Sequence, residues 1–183
     1  MTRSRRSLLM PWLVAVIGFP IGGFIGHLVA GPAATVAAAL ASGLIAGAGI
    51  GLAQAVALSL RSSSRIAWIA ATAAGLGVAL AAMTAATGQI ETTAEAVILG
   101  GLSGLAIGTA QAALLVRDRV ANAWLWAPAT GLAWSIGWLV TASIGVALVS
   151  GWPVFGLSGA LAAQVITGLA VLRLLRPPAA VTA

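Results

Sequence analysis

Three glutamines fall within long apolar runs of the sequence, at Gln54, Gln111 and Gln164. A primary amide offers two N–H donors and one carbonyl acceptor, so three amides near a common axis could bind a polar solute or an ion. Alternatively, each amide hydrogen-bonds to a neighbouring helix or to backbone, which stabilises a membrane protein by about 0.6–2 kcal/mol per bond. We favour the structural role, because packing residues also recur in repeats that bind no ligand.

Three tryptophans follow helical spacing in the fifth apolar run, at Trp126, Trp134 and Trp138. Positions four or eight apart lie on one face of a helix, so these indoles form a ridge. The ridge could dock another subunit, a carotenoid, a quinone or a chlorophyll-type pigment ring. It could equally pack internally and fill the space left by Gly131 and Gly137.

His27 is the only imidazole, and there is no cysteine. A neutral imidazole can bind the metal of a tetrapyrrole, which makes His27 the one candidate metal ligand. A lone histidine without a second ligand is more often a polar residue between helices. The three acids are Glu91, Glu95 and Asp118, and we expect Asp118 on the opposite side of the membrane from the other two and His27. No Ser–His–acid triad can then form, and we predict a protein that is not an enzyme and needs no cofactor.

The composition places the chain in a lipid bilayer. Of 183 residues, 61% are hydrophobic and only 7% are charged, whereas a soluble domain carries about 25% charged residues. The net charge of +6 comes entirely from arginines between the apolar runs. Flanking of membrane helices explains that charge better than nucleic-acid binding, and membrane lipids are the expected surroundings.

Six apolar runs predict six transmembrane helices in a single membrane domain, 1–183. Each is long enough to cross a hydrocarbon core about 30 Å thick. Thr92 and Glu95 have the spacing of a capping box and predict the start of the fourth helix. The runs cover about 8–29, 33–60, 66–87, 95–116, 123–149 and 154–175.

The charges predict the orientation. Every arginine falls on one side of the six predicted crossings, and Glu91 and Glu95 fall on the other. By the positive-inside rule, both termini are cytoplasmic. The abundance of Arg, Ala, Gly and Pro without Lys fits a GC-rich genome, so we expect a bacterial cytoplasmic (inner) membrane.

Regular intervals predict three tandem helical hairpins. Four arginines recur every 56 residues, and Trp12, Trp68 and Trp124 keep the same interval. The units are 5–60, 61–116 and 117–172, followed by a short tail, 173–183. Two crossings per unit give every unit the same orientation, which predicts a pseudo-threefold bundle. Because the first run belongs to a unit, we expect it not to be a cleaved signal peptide. The arginines are Arg5, Arg61, Arg117 and Arg173.

Glycines spaced by four mark the returning helices of the first two units. Such a stripe lets helix backbones approach closely in lipid. Gln54 and Gln111 lie on or beside it, and we therefore expect these amides to face protein. The stripe residues are Gly43, Gly47, Gly51, Gly100, Gly104 and Gly108.

The recurring Gly-x-x-Gln, short Arg-bearing turn and Trp-bearing helix, seen around Gln54 and Arg61 and again around Gln111 and Arg117, resemble a group of bacterial multi-pass membrane proteins. The resemblance covers roughly residues 43–137. The chain departs from that pattern at Ala55, Ala112 and Val165, where a tryptophan commonly follows the glutamine. The group has no assigned activity, so the resemblance implies an architecture and no reaction.

These observations favour an accessory or scaffolding subunit of a larger membrane complex. A bioenergetic complex, or one that holds pigments or quinones, is the kind of assembly we expect. No ionisable group lies in the interior of a predicted crossing, away from its ends, whereas ion-coupled transporters usually keep one there. The alternative is a small-solute permease, or the substrate-binding component of one, with a central site lined by the three glutamines.

Overall fold

The computed structural model describes the backbone of residues 5–60, 62–88, 90–145 and 152–174, and the side chains of 9–60, 62–88, 90–145 and 152–173. Helices account for most of these residues, and no strand occurs among them. The α-helices are α1 (Arg5–Val14), α2 (Gly18–Ala30), α3 (Val36–Ala57), α4 (Ser62–Thr87), α5 (Thr93–Arg117), α6 (Trp126–Ser143) and α7 (Leu157–Leu174).

Two short 3₁₀ turns modify the predicted boundaries. Ala15–Ile17 joins α1 to α2, and Ala123–Leu125 precedes α6. Pro20 has no N–H to donate to the carbonyl four residues earlier, which explains the tightened turn just before it. The helical path is nevertheless continuous, because the residues that flank the first 3₁₀ turn have right-handed helical backbone angles.

Neighbouring helices pack antiparallel, with very close backbones. In the α3–α4 pair, Gly43 lies against Gly77 and Gly51 lies against Ile69, so the two helices run in opposite directions. The same reasoning applies to α2–α3, α4–α5, α5–α6 and α6–α7. Finally, α7 packs on α1 through Gly168 and Trp12, which joins the last helix to the first.

This is the architecture of an α-helical membrane protein. Among the residues that the structure describes, four helical segments are long and apolar enough to cross a membrane, and Leu157–Arg173 is a shorter apolar helix. The large exposed side chains are aliphatic over much of the exterior, with Leu28 and Ile66 among the most exposed. The four segments are Leu9–Ala30, Val36–Ala57, Ser62–Thr87 and Thr93–Arg117.

The helix boundaries confirm one prediction and correct another. The capping box is confirmed, because the Thr92 hydroxyl accepts from the Glu95 N–H and the Glu95 carboxylate accepts from the Thr92 N–H. The predicted fifth run, 123–149, is too long. The helix ends at Ser143, and Gly145 follows in the left-handed region with φ +78°; residues 146–149 lie outside the described part.

The described charges lie at opposite ends of the helices. One end of the helical bundle carries Arg65, near the start of α4, and Arg117, at the end of α5. The end of α3 and the start of α6, which pack against α4 and α5, lie at the same end. Glu91 and Glu95 lie at the other end, where α4 meets α5. The predicted flanking arginines Arg3 and Arg61 fall outside the described residues, as does most of the tail 173–183.

Candidate functional site: a buried cluster of amides and indoles

The glutamine of α3 and the tryptophan of α4 hold their hairpin together. The Trp68 indole donates from Nε1 to Oε1 of Gln54, 3.2 Å away. One turn further along α4, the Thr72 hydroxyl donates to the carbonyl of Trp68 at 2.8 Å. All three side chains are buried, so the bonds form in a low-dielectric interior, where an unpaired polar group is costly.

The α5–α6 hairpin repeats this arrangement. Trp126 Nε1 donates to Oε1 of Gln111 at 2.7 Å, and the Thr130 hydroxyl donates to the carbonyl of Trp126 at 2.8 Å. The Gln111 amide nitrogen also reaches the first hairpin, where it donates to Thr72 Oγ1 at 2.8 Å and to Gln54 Oε1 at 3.3 Å. Gln111 therefore connects four helices, α3 to α6.

The third glutamine joins the last helix to the first with a different set of atoms. Gln164 donates from Nε2 to the backbone carbonyl of Trp12 at 2.6 Å. In return, Trp12 Nε1 donates to the backbone carbonyl oxygen of Gln164 and to Thr167 Oγ1, each at 3.2 Å. The side chain of Gln164 is buried and bonded within the α1–α7 contact, and no hydrogen bond links it to the other two glutamines among the described residues.

Three indoles complete the cluster. The rings of Trp12 and Trp126 are 5.8 Å apart in an edge-on arrangement, and those of Trp68 and Trp126 are 6.2 Å apart. We call this set, with its glutamines and threonines, the amide–indole cluster. Its members are Trp12, Gln54, Trp68, Thr72, Gln111, Trp126, Thr130, Gln164 and Thr167.

The amide–indole cluster gives the solute-site alternative little support. The structure brings Gln54 and Gln111 together, but their amides already bond to each other, to indoles and to Thr72. A solute would have to break these bonds to use the same atoms. The arrangement serves chemically as a set of links between helices.

The structure corrects the tryptophan register. The interval of 56 pairs Trp124 with Trp12 and Trp68. However, Trp12 and Trp68 are buried and Trp126 takes the third position, while Trp124 is 66% exposed. The cause is local: Asn122 adopts a left-handed conformation and Ala123–Leu125 form a 3₁₀ turn, which lengthens this connection and moves the helical register by two residues.

The three indoles of the predicted docking ridge face the interior of the bundle. Trp126 belongs to the amide–indole cluster. Trp134 and Trp138 pack edge-on to Phe155, with ring centroids 5.1 and 5.8 Å from it. Phe19 of α2 stacks on the same ring at 5.2 Å. All are buried, which favours the alternative of internal packing for these indoles.

His27 lies near the end of α2 and stacks on Trp152. The ring centroids are 4.3 Å apart and the planes differ by 17°. Its Nδ1 is buried and has no hydrogen-bond partner among the described residues. In the part of the chain that the structure describes, no group of three or more His, Cys, Asp or Glu side chains could hold a metal. Binding of a tetrapyrrole by His27 stays a prediction.

The glycine stripes lie where helix backbones come closest. A Cβ on Gly47 would stand 2.6 Å from the Thr72 carbonyl oxygen, and one on Gly104 would stand 2.5 Å from that of Thr130. A Cβ on any of the other four stripe glycines would also have backbone or side-chain atoms of a neighbouring helix within 2.9 Å. These contacts seat α4 on α3 and α6 on α5, and so bring each tryptophan within reach of its glutamine.

Sequence reasoning overlooked the three threonines of the cluster. Thr72 and Thr130 each lie four residues after a buried tryptophan, and Thr167 lies three after Gln164. The signal was available, because a helical Thr at that spacing can bond to the preceding turn. It becomes visible only when Trp126 replaces Trp124 in the comparison of the two hairpins.

No family model matches the chain, and neither the curated proteins nor the solved structures include a significant match.

Proposed function

We propose that the chain is a non-enzymatic protein of the bacterial cytoplasmic membrane, with six crossings and both termini in the cytoplasm, that serves as an accessory or scaffolding subunit of a larger membrane complex. One observation carries this proposal: the polar side chains of the amide–indole cluster bond to one another and to backbone. Such a network of satisfied hydrogen bonds makes a helical bundle rigid, which is the property that a structural subunit of a complex requires.

The exterior supports the same role. Because the Trp126–Trp138 face is internal, any contact with another subunit has to use the exposed apolar faces of the helices. One such face runs along α2, where Ile21, Phe24, Ile25, Leu28 and Val29 are all exposed. Apolar faces of this kind pack equally against lipid tails or against another membrane helix.

The proposed subunit role is tested by purification from native membranes. A tagged chain extracted in a mild detergent should migrate well above its own 18.0 kDa and carry a partner in fixed stoichiometry, because a scaffold is retained with its complex. Tagging that partner should recover the chain in the same ratio. The control is the same preparation in a harsh detergent, which should release the free chain. Recovery of the lone chain under all mild conditions would contradict the proposal.

The six crossings are tested by reporter insertion. We expect alkaline phosphatase to be active after Gly88 and after Gly145, and a green fluorescent reporter to fluoresce after Asp118 and at the C-terminus. The helices α6 and α7 have 18 residues each, or about 27 Å, which matches a thin hydrocarbon core. Equal reporter behaviour after Asp118 and after Gly145 would mean that α6 does not cross.

A further inference from the structure

A cleft opens between α2, α6 and the start of α7, away from the amide–indole cluster. Its volume is about 730 Å³, within the range of 300–1,000 Å³ typical of small-molecule sites. Phe24, at its edge, is 57% exposed, and Ile21 beside it is exposed as well. The cleft is therefore reached from the lipid-facing side of the helices.

The walls of this cleft are unusually aromatic for the chain. All three phenylalanines of the sequence line it, together with two of the seven tryptophans. Elsewhere the exposed surface is mainly aliphatic. Aromatic walls favour offset or edge-on contact with a flat ring, beyond the general burial of apolar area. The aromatic lining residues are Phe19, Phe24, Trp138, Trp152 and Phe155.

One hydroxyl at this cleft has no hydrogen-bond partner. Thr141 lines the cleft and is 1% exposed, and its Oγ1 bonds to nothing among the described residues. Several other helical hydroxyls bond to the carbonyl four residues earlier, as in Thr87, Thr130 and Ser143, whereas Ser103 in α5 shares the unpaired state of Thr141 among the described residues. A buried hydroxyl left unpaired costs about 1–3 kcal/mol.

The Thr141 hydroxyl lies at the α6–α7 crossing. The carbonyl four residues earlier belongs to Gly137, and Gly159 of α7 lies directly against both that carbonyl and Thr141 Oγ1. The hydroxyl is therefore positioned against α7 beside the cleft, with its donor unused among the described residues. A carbonyl oxygen on a bound molecule would supply the missing acceptor.

We propose that this cleft binds a flat, carbonyl-bearing membrane lipid of the quinone class, with the ring between the aromatic walls and a ring carbonyl accepting from Thr141. The aromatic lining supplies the preference for a planar ring, and the unpaired hydroxyl supplies the preference for a carbonyl. A saturated acyl chain would use neither feature. The binding requires no partner subunit and so stands independently of the proposed scaffolding role.

Native mass spectrometry of the purified full chain in detergent tests this proposal. The probe is a decyl-substituted 1,4-benzoquinone, and the comparator is the same molecule with both ring carbonyls converted to methoxy groups. We expect a one-to-one adduct with the quinone and at least fivefold weaker binding of the comparator. Thr141→Val should weaken quinone binding about fivefold, while Thr141→Ser should retain it. Phe24→Ala should weaken it by a similar factor, because an exposed ring of the wall is lost.

Thr87→Val provides the matched control, because this hydroxyl also lies on a helix but is bonded to Met83 and outside the cleft. It should change quinone affinity by less than twofold. Equal binding of the quinone and the comparator, with no effect of Thr141→Val, would overturn the proposal and assign the cleft to acyl chains. Co-migration of the Thr141→Val chain with its complex should be unchanged, which separates this test from that of the subunit role.

Discussion

Replacing Gln111 by methionine should lower the free energy of unfolding by about 3 kcal/mol, the largest effect expected from a single polar side chain in this protein. Met has nearly the same length but removes three hydrogen bonds, to Trp126, Thr72 and Gln54. Each such bond stabilises a membrane protein by about 0.6–1.7 kcal/mol. The buried N–H of Trp126 is also left without its acceptor, which adds to the cost. Equilibrium unfolding in mixed micelles, followed by far-UV circular dichroism, measures the change.

Two tryptophan variants make this test specific. Trp126→Phe removes the N–H that donates a hydrogen bond to Gln111 and should lower the free energy of unfolding by about 1–2 kcal/mol. Trp124→Phe changes an exposed indole of the same connection and should lower it by less than about 0.5 kcal/mol. Because Gln111 and Trp126 share one bond, their double variant should lose at least about 1 kcal/mol less than the sum of the single variants. A Gln111→Met protein of normal stability, with additive effects, would contradict the structural role and return Gln111 to the candidates for a solute site.

The glutamines and glycines were predictable because both belong to regular spacing along one helix. A polar side chain in an apolar membrane helix has to face protein, because a polar group in lipid is costly. A stripe of glycines marks where the backbone of another helix can approach. Gln54 and Gly47, for example, occupy such a face. These inferences need only the helical period and the cost of a polar group in lipid, and both are available from sequence.

The tryptophan positions were not predictable in the same way. Lipid tails and a protein core are equally apolar, so no contrast in polarity tells which face of α6 points inward. Trp134 and Trp138 could therefore be read as an outward ridge. Their burial depends on Phe155 and Phe19, which come from distant parts of the chain. The exchange of Trp124 for Trp126 depends on the left-handed backbone of Asn122, a local detail that a fixed interval of 56 residues does not contain.

Gly47→Ala should lower the free energy of unfolding by about 2 kcal/mol. In an open helix this change would be stabilising by about 1 kcal/mol, because alanine is the better helix former. Here the added methyl group would meet the Thr72 carbonyl oxygen at 2.6 Å and the Ala73 Cα at 2.7 Å. Both are backbone atoms that no side-chain rotation can move, so α4 has to shift away from α3. Overpacking of this kind typically costs about 1–3 kcal/mol.

Gly156→Ala is the control for a glycine with room for a side chain, since a Cβ there would find only Thr141 side-chain atoms at 3.6 and 3.8 Å, an ordinary van der Waals distance. It should lower the free energy of unfolding by less than about 1 kcal/mol, because Gly156 directly precedes α7, at a position where glycine is only moderately better than alanine. Moving α4 also withdraws Thr72 from Gln111, so Gly47→Ala and Gln111→Met remove part of the same contact. Their double variant should therefore lose less than the sum of the two. Full additivity, or a Gly47→Ala protein more stable than wild type, would mean that the close approach of α3 and α4 does not hold the amide–indole cluster together.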